Sequence, residues 1–119
     1  MVKPTNRFFH KFNNHKYKAK PTIVDGIKFG SILEADYYRT LKFRVSAGIV
    51  TFFLRQVPFH LPGGVVYRVD FQEFHSDGTI HFVEIKGFPT PEWKIKYKQV
   101  EALYPVTIEV KTRKDVKKT

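Results

Sequence analysis

The segment VDFQEFHSDGTIHFVEIKG, residues 69–87, constrains the fold of this 119-residue chain more than any other stretch. Apolar residues alternate with polar ones on both sides of a turn at residues 76–78, which is the pattern of two half-buried strands in a β-hairpin. Within this pattern the first strand carries Asp70, and the second ends in Glu84 and Lys86. The segment therefore predicts a hairpin that holds two carboxylates and a lysine.

The turn is compatible with two hairpin registers. A two-residue loop would set Asp70 opposite Ile85 and mix charged with apolar side chains on both faces, which a half-buried sheet resists. A three-residue loop, with Gly78 in the left-handed conformation, sets Val69 opposite Ile85 and leaves one face apolar. On the other face this second register sets Asp70 directly opposite Glu84. The alternation of the sequence favours the second register.

Two carboxylates that face each other across a hairpin have Cβ atoms about 4.5–5.5 Å apart and repel each other. Arg68 and Lys86, opposite each other on the same face, neutralise the pair only in part. A divalent cation explains the pair better, and oxygen ligands in a chain without cysteine suit Mg²⁺ or Mn²⁺ rather than zinc. The alternative is an exposed network of salt bridges between the two acids and the two bases.

Composition limits the class of protein. A chain of 119 residues, 42% of them hydrophobic and twelve of them Phe, predicts one globular domain with a single core. No apolar run approaches the roughly 20 residues of a membrane span, and the N-terminus is too polar for a signal peptide, so we expect no membrane insertion. The absence of cysteine fits a cytoplasmic protein. A net charge of +10 favours a phosphate-rich partner, either nucleic acid or an anionic membrane surface.

The remaining patterns predict helices and strands in a mixed order. A short hairpin turns at Asp25-Gly26, a helix runs from Ser31 to about Ala47, and a second helix begins at Thr90-Pro91. Strands are predicted over residues 49–61, 65–75, 79–86 and 106–110. This order predicts an α/β (mixed α+β) class, with a central, mostly antiparallel or mixed β-sheet flanked by two helices. We predict a basic arm over residues 1–20, a domain over 21–110 and a basic tail over 111–119.

Asp70, thirteen residues and then Glu84-Ile85-Lys86 resemble the PD-(D/E)XK nuclease signature, whose two acids and lysine lie on adjacent strands. The stretch FGSILEADYY, with Glu34, resembles the upstream acidic helix of that superfamily. The wider pattern DGIKFGSILEADYY…AGIV…VDF…VEIKG is similar to small phage-encoded proteins related to RecU-type Holliday junction resolvases, over about residues 16–110. Val69 stands where the signature has proline, which many members lack. The resemblance implies a restriction-endonuclease-like core.

The resemblance also implies roles for individual residues. Asp70 and Glu84 would ligate Mg²⁺ or Mn²⁺, with the Ile85 carbonyl as a further ligand, and Lys86 would orient or help to deprotonate a water molecule. Glu34 would join the metal side of the site, directly or through water. The alternative for Glu34 is a capping box in which its side chain bonds the amide of Ser31.

Further residues have weaker support. Gln56, in the strand before the site, lies where related nucleases place a polar residue near the water; its alternative is a solvent-facing strand residue. DNA contacts are predicted for Lys16, Lys18, Lys20, Arg68, Lys94 and Lys98, although lysines on a helix face or in a basic arm are more often simply solvated. Trp93 and Tyr97 are interpreted as core residues. The histidines are assigned no chemistry.

These observations predict a Mg²⁺-dependent DNA endonuclease that acts on branched DNA, such as a Holliday junction, as a homodimer. If the chain is phage-encoded, we expect it in the host-cell cytoplasm. One alternative is a non-catalytic nucleic-acid-binding protein, and another is a structural or replication-accessory phage protein. The simultaneous presence of Asp70, Glu84 and Lys86 favours the enzyme, because a degenerate nuclease is expected to have lost one of them.

Overall fold

The structure is a computed structural model, and it describes residues 20–118. The chain divides into two compact units, Met1–Ala35 and Asp36–Thr119. In the first unit, β1 (Thr22–Val24) and β2 (Ile27–Phe29) form an antiparallel hairpin. Both turn residues, Asp25 and Gly26, have positive φ, which suits a two-residue hairpin loop. The predicted first hairpin is confirmed.

Helix α1 (Ile32–Ser46) begins in the first unit and continues into the second. The Ser31 hydroxyl accepts a hydrogen bond of 3.1 Å from the Glu34 amide, as an N-cap residue does. The helix ends just before Gly48, whose φ of 79° is the left-handed conformation that commonly follows a helix. Both predicted helix signals are confirmed.

A four-stranded sheet forms the centre of the second unit. Its strands are β3 (Val50–Leu61), β4 (Val65–His75), β5 (Ile80–Ile85) and β6 (Ile108–Lys111), in the order β3-β4-β5-β6. The first two pairs are antiparallel, and β5 pairs with β6 in parallel. The predicted mixed α+β class with a mostly antiparallel sheet is confirmed. Pro58 lies in the edge strand β3, where proline is tolerated.

Two further helices belong to the second unit. Helix α2 (Pro91–Leu103) begins after Thr90, whose hydroxyl accepts a hydrogen bond of 3.2 Å from the Trp93 amide, as predicted. Helix α3 (Arg113–Lys118) lies in the stretch that the sequence marks only as a basic tail. It is anchored by Val116, which is buried. No helix among residues 20–118 is long and apolar enough to cross a membrane.

The two longer helices bury their apolar stripes against the sheet. From α1, Tyr37 and Leu41 are fully buried, and the Tyr37 ring lies 5.3 Å from that of Phe71 on β4. From α2, Trp93 and Val100 pack in a cluster with residues of β3, β4 and β6: Phe59, Leu61, Tyr67, Val69 and Ile108. Burying one such large side chain stabilises the fold by about 1.5–3 kcal/mol, so these stripes hold both helices in place.

The β4–β5 hairpin adopts the predicted three-residue register. Phe71 pairs with Val83, and the His75 amide donates a hydrogen bond of 2.9 Å to the Thr79 carbonyl. Gly78 has a φ of 92°, which side chains with a Cβ rarely adopt. The register sets Asp70 and Glu84 on the same face of the sheet.

Candidate active site

The candidate site lies where the pairing of β4 and β5 stops. The ladder runs from Phe74 opposite Ile80 to Phe71 opposite Val83, and the next pair in this register is Asp70 and Glu84. Here the carboxylates take the place of backbone acceptors. The Asp70 amide donates to Glu84 Oε1 at 3.3 Å, and the Ile85 amide donates to Asp70 Oδ2 at 2.9 Å. Each acid therefore caps the other strand at the point where the two strands part.

Gln56 approaches the pair from the third strand. It lies on β3 opposite Asp70, and its Nε2 donates to Asp70 Oδ1 at 3.2 Å. Its φ of 54° is left-handed, which in a residue other than glycine costs of order 1–3 kcal/mol and recurs at functional sites. The side chain is partly buried against Asp70 rather than solvent-facing. The predicted position beside the acids is observed, and its role near water stays a prediction.

Burial raises the pKa values of both acids. Only 5% of Glu84 is exposed, and burial together with the negative charge of Asp70 raises its pKa to about 8. Burial also raises the pKa of Asp70, while hydrogen bonds from the Ile85 amide and from Gln56 lower it. The pair therefore retains a proton at neutral pH unless a cation takes its place.

Two positively charged side chains act on the pair. The charge of Lys86 lowers the pKa of both acids, and that of Arg55, on β3, lowers the pKa of Asp70. Lys86 follows β5, where its amide donates to the Lys111 carbonyl at 2.9 Å. The three residues of the predicted motif thus lie together. Arg55 is an addition for which the sequence offers no signal beyond its place next to Gln56.

Tyr67 and Trp93 also reach the site, which sequence reasoning missed. The indole Nε1 of Trp93 donates to the Tyr67 hydroxyl at 3.0 Å, and this hydroxyl hydrogen-bonds with Glu84 and lowers its pKa. Strict alternation along β4 predicts that Tyr67 lies on the face opposite Asp70. However, β4 is paired with β5 only from Phe71 onward, so the alternation does not fix where Tyr67 lies relative to Glu84. The available signal was chemical, because a buried Tyr hydroxyl or Trp N–H usually has a polar partner.

The remaining predicted residues belong to the first unit, to the exposed surface or to the part of the chain that the structure does not describe. Glu34 belongs to the first unit, where its amide takes part in the N-cap, and its part in a metal site stays a prediction. Lys16 and Lys18 lie outside residues 20–118. The other predicted DNA contacts are all exposed: Lys20, Arg68, Lys94 and Lys98. Their exposure is compatible with both phosphate contact and simple solvation.

The donor set at the pair fits a divalent cation with oxygen ligands. Asp70 and Glu84 supply carboxylates, and the adjacent Ile85 could add its carbonyl. Mg²⁺ commonly uses one or two carboxylates and keeps several waters, so a pair of acids is a sufficient protein contribution. No group of three or more His, Cys, Asp and Glu side chains among residues 20–118 is arranged to hold a metal. A cation here would therefore draw the rest of its ligands from water or substrate.

A second polar cluster lies around Glu73, a residue of β4 that is only 2% exposed. Its carboxylate accepts a hydrogen bond of 2.5 Å from the Tyr37 hydroxyl and contacts His75 Nε2 at 2.9 Å. The rings of His75 and His81 lie 4.1 Å apart, and His81 contacts Glu109 at 2.5 Å. The hairpin thus pairs two histidines that the sequence left unassigned. The cluster ties α1 to β4, β5 and β6.

Comparison with known proteins identifies a family. A family model described as "Protein of unknown function (DUF1064)" matches residues 14–118. This range includes Gln56, Asp70, Glu84 and Lys86, together with all the described strands and helices. No curated protein and no solved structure matches the chain.

Proposed function

This chain belongs to the DUF1064 family, and we propose that it is a metal-dependent DNA endonuclease of the PD-(D/E)XK type. The observation that carries the proposal is the pairing of Asp70 and Glu84 beside Lys86. A buried carboxylate beside a second, half-buried one destabilises a fold unless a proton or a cation offsets their charges. Such an arrangement in a 119-residue domain is better explained by metal binding than by a structural role.

The order of the elements supports the same proposal. In the second unit α1 is followed by three antiparallel strands, by α2 and by a strand parallel to β5. The two acids lie on the second and third of those strands and Lys86 directly follows the third, which agrees with the adjacent strands that the PD-(D/E)XK resemblance implies. Solvent-exposed salt bridging, the structural alternative, fits poorly, because Glu84 is almost fully buried.

The proposed chemistry is hydrolysis of a phosphodiester bond. Asp70 and Glu84 would hold the cation, which when bound stabilises charge on the phosphate and lowers the pKa of a bound water. Lys86 would orient the attacking water, help to remove its proton and offset phosphate charge. Gln56 and the Ile85 amide hold Asp70 in place from two directions. These contacts preorganise the carboxylate before any ligand arrives.

The charge of the chain supports DNA as the substrate. Its net charge of +10 provides the electrostatic attraction that nucleic-acid binding requires. Exposed basic side chains lie on strands and helices that also carry site residues. Arg68 is two residues from Asp70, and Lys94 follows Trp93 in α2. Mg²⁺ and DNA would therefore be held by neighbouring parts of the second unit.

For the substrate class, we propose branched DNA cut by a homodimer. A domain with one active site must act twice to resolve a four-way junction, and the two-fold symmetry of a junction is most simply matched by a two-fold dimer. We expect nicking of labelled junction or flap DNA in preference to linear duplex, only when Mg²⁺ or Mn²⁺ is present. Sedimentation of the protein with and without junction DNA measures the dimer.

The two halves of this prediction fail separately. A monomer on junction DNA that cuts linear duplex equally well leaves a metal-dependent nickase and removes the resolvase proposal. Binding to every substrate without cleavage favours the second candidate, a non-catalytic nucleic-acid-binding protein. The net charge of +10 alone would suffice for that candidate, since it makes no use of the acids.

The basic arm gives a prediction about affinity rather than cleavage. Residues 1–20 contain six bases and no acid: Lys3, Arg7, Lys11, Lys16, Lys18 and Lys20. If they contact phosphates, deletion of residues 1–20 should flatten the dependence of log affinity on log salt by about 0.9 for each lost contact. Fluorescence anisotropy with labelled duplex over a range of salt measures the slope. An unchanged slope would assign the arm to solvent or to another partner.

A further inference from the structure

We infer that Trp93 is a positioning residue that holds Glu84 and Lys86, the two ends of the E-x-K motif, in a fixed arrangement, and that it acts on Glu84 through Tyr67. As a statement about metal affinity and cleavage, this inference rests on the proposed function. Its basis is a chain of contacts from α2 to the candidate site. The residues that make this chain, Trp93 and Tyr67, are not part of the motif.

The first branch of the chain reaches Glu84. Trp93 Nε1 can only donate, and it donates to the Tyr67 hydroxyl at 3.0 Å. The hydroxyl oxygen is thereby occupied as an acceptor, which leaves its proton available to Glu84, whose pKa Tyr67 lowers as a hydrogen-bonding neighbour. The other donor on Glu84 is the Asp70 amide. Two donors fix the plane of a carboxylate better than one.

The second branch reaches Lys86. Its Nζ lies 5.5 Å from the centroid of the Trp93 ring, within the range of a cation–π contact. A lysine side chain has a flexible four-carbon stem, and an aromatic face beside the ammonium narrows the positions it samples. The Trp93 indole thus restrains Lys86 directly and Glu84 through Tyr67, at the end of β5.

Trp93 is itself well anchored. Its amide is bonded to the Thr90 cap, its side chain is 9% exposed, and its ring stacks on Tyr97 at 4.8 Å. It also packs with Tyr67 and Val69 in the cluster beneath α2. A rigid helix start therefore supports the motif, in the way that outer-shell partners of metal ligands are held by the surrounding fold.

The test measures Mg²⁺ affinity by isothermal titration calorimetry and cleavage by single-turnover kinetics. Tyr67→Phe removes the hydroxyl and keeps the ring, and Trp93→Phe removes the N–H donor and keeps an aromatic face. Tyr104→Phe is the matched control, because Tyr104 packs against the same cluster but its hydroxyl bonds the distant His60 carbonyl. Circular dichroism without Mg²⁺ confirms that each variant is folded.

We expect Tyr67→Phe to weaken Mg²⁺ binding at least tenfold, as the loss of an outer-shell partner commonly does. Trp93→Phe should weaken it similarly. The double variant should match Tyr67→Phe within about twofold, because the indole N–H acts on Glu84 only through that hydroxyl. Trp93→Leu, which also removes the aromatic face, should lower the cleavage rate below that of Trp93→Phe at saturating Mg²⁺. Tyr104→Phe should match the unmodified protein.

The failures are distinguishable. If the unmodified protein binds no Mg²⁺ and cuts no DNA, the proposed function is wrong. If it does both, but folded Tyr67→Phe binds Mg²⁺ within twofold of the unmodified protein, the inference about Tyr67 and Trp93 is overturned while the proposed function stands. Additive losses of Mg²⁺ affinity in the double variant would also contradict the inference, since they would require Trp93 to act on Glu84 by a route other than Tyr67.

Discussion

Asp70→Asn and Glu84→Gln are each expected to abolish cleavage while leaving DNA affinity intact or slightly increased. Each substitution removes a proposed metal ligand, and the cation provides the activated water and the charge stabilisation on which hydrolysis depends. Each also removes a negative charge beside the bound phosphates, which lessens repulsion. Single-turnover cleavage and fluorescence anisotropy on the same labelled DNA measure the two effects independently.

The matched control is Glu73→Gln. Glu73 is as buried as Glu84 and lies on β4, but its carboxylate is bonded to Tyr37 and His75 in the second polar cluster. This variant should keep its Mg²⁺-dependent cleavage, provided that it folds. Equal loss of binding and cleavage in Asp70→Asn or Glu84→Gln would instead indicate misfolding, or a protein that binds without cutting.

The second large effect concerns stability without metal. The pKa of Glu84 is raised to about 8, by burial first and by Asp70 second. The folded protein thus holds a proton that the unfolded chain loses above pH 4.5, so the free energy of unfolding falls as pH rises from about 4.5 to 8. At about 1.4 kcal/mol per pKa unit, the charged carboxylate costs of order 5 kcal/mol above that window.

Glu84→Gln removes this cost. We expect its melting temperature to exceed that of the unmodified protein at pH 9 by about 20 °C, and by much less near pH 5. Excess Mg²⁺ should stabilise the unmodified protein, by about 2.7 kcal/mol at a hundredfold excess over Kd, and should have little effect on Glu84→Gln. Differential scanning fluorimetry at both pH values, with and without Mg²⁺, measures these melting temperatures. A Glu84→Gln variant less stable than the unmodified protein at pH 9 would contradict the interpretation that the charged Glu84 carboxylate destabilises the fold.

Much of the fold could be predicted from the sequence, because its determinants are local. The β4–β5 register follows from strict alternation and from one glycine with positive φ, and a shift of one residue would have exposed Phe71. The starts of α1 and α2 follow from Ser31 and Thr90, whose hydroxyls satisfy amides within the first turn. The juxtaposition of Asp70 and Glu84 is a direct consequence of that register.

The rest depends on contacts between residues far apart in the chain. Tyr67 and Trp93 are 26 residues apart, and both fit an apolar stripe. Nothing in their spacing indicates that the Trp93 N–H contacts the Tyr67 hydroxyl, or that this hydroxyl lies beside Glu84. Arg55 and the left-handed Gln56 depend on where β3 passes Asp70. Helix α3 is six residues long, basic and held by the burial of Val116, so its sequence resembles a solvated tail.

The most direct test of the proposed function is addition of Mg²⁺ to a complex of the protein and a labelled four-way junction preformed in EDTA. The proposed function predicts a stable complex without cleavage, followed by strand nicking once Mg²⁺ exceeds the chelator, and no nicking in the same experiment with Glu84→Gln. A stoichiometric complex that stays uncut in excess Mg²⁺ and in excess Mn²⁺ would contradict it, as would nicking that Glu84→Gln performs equally well.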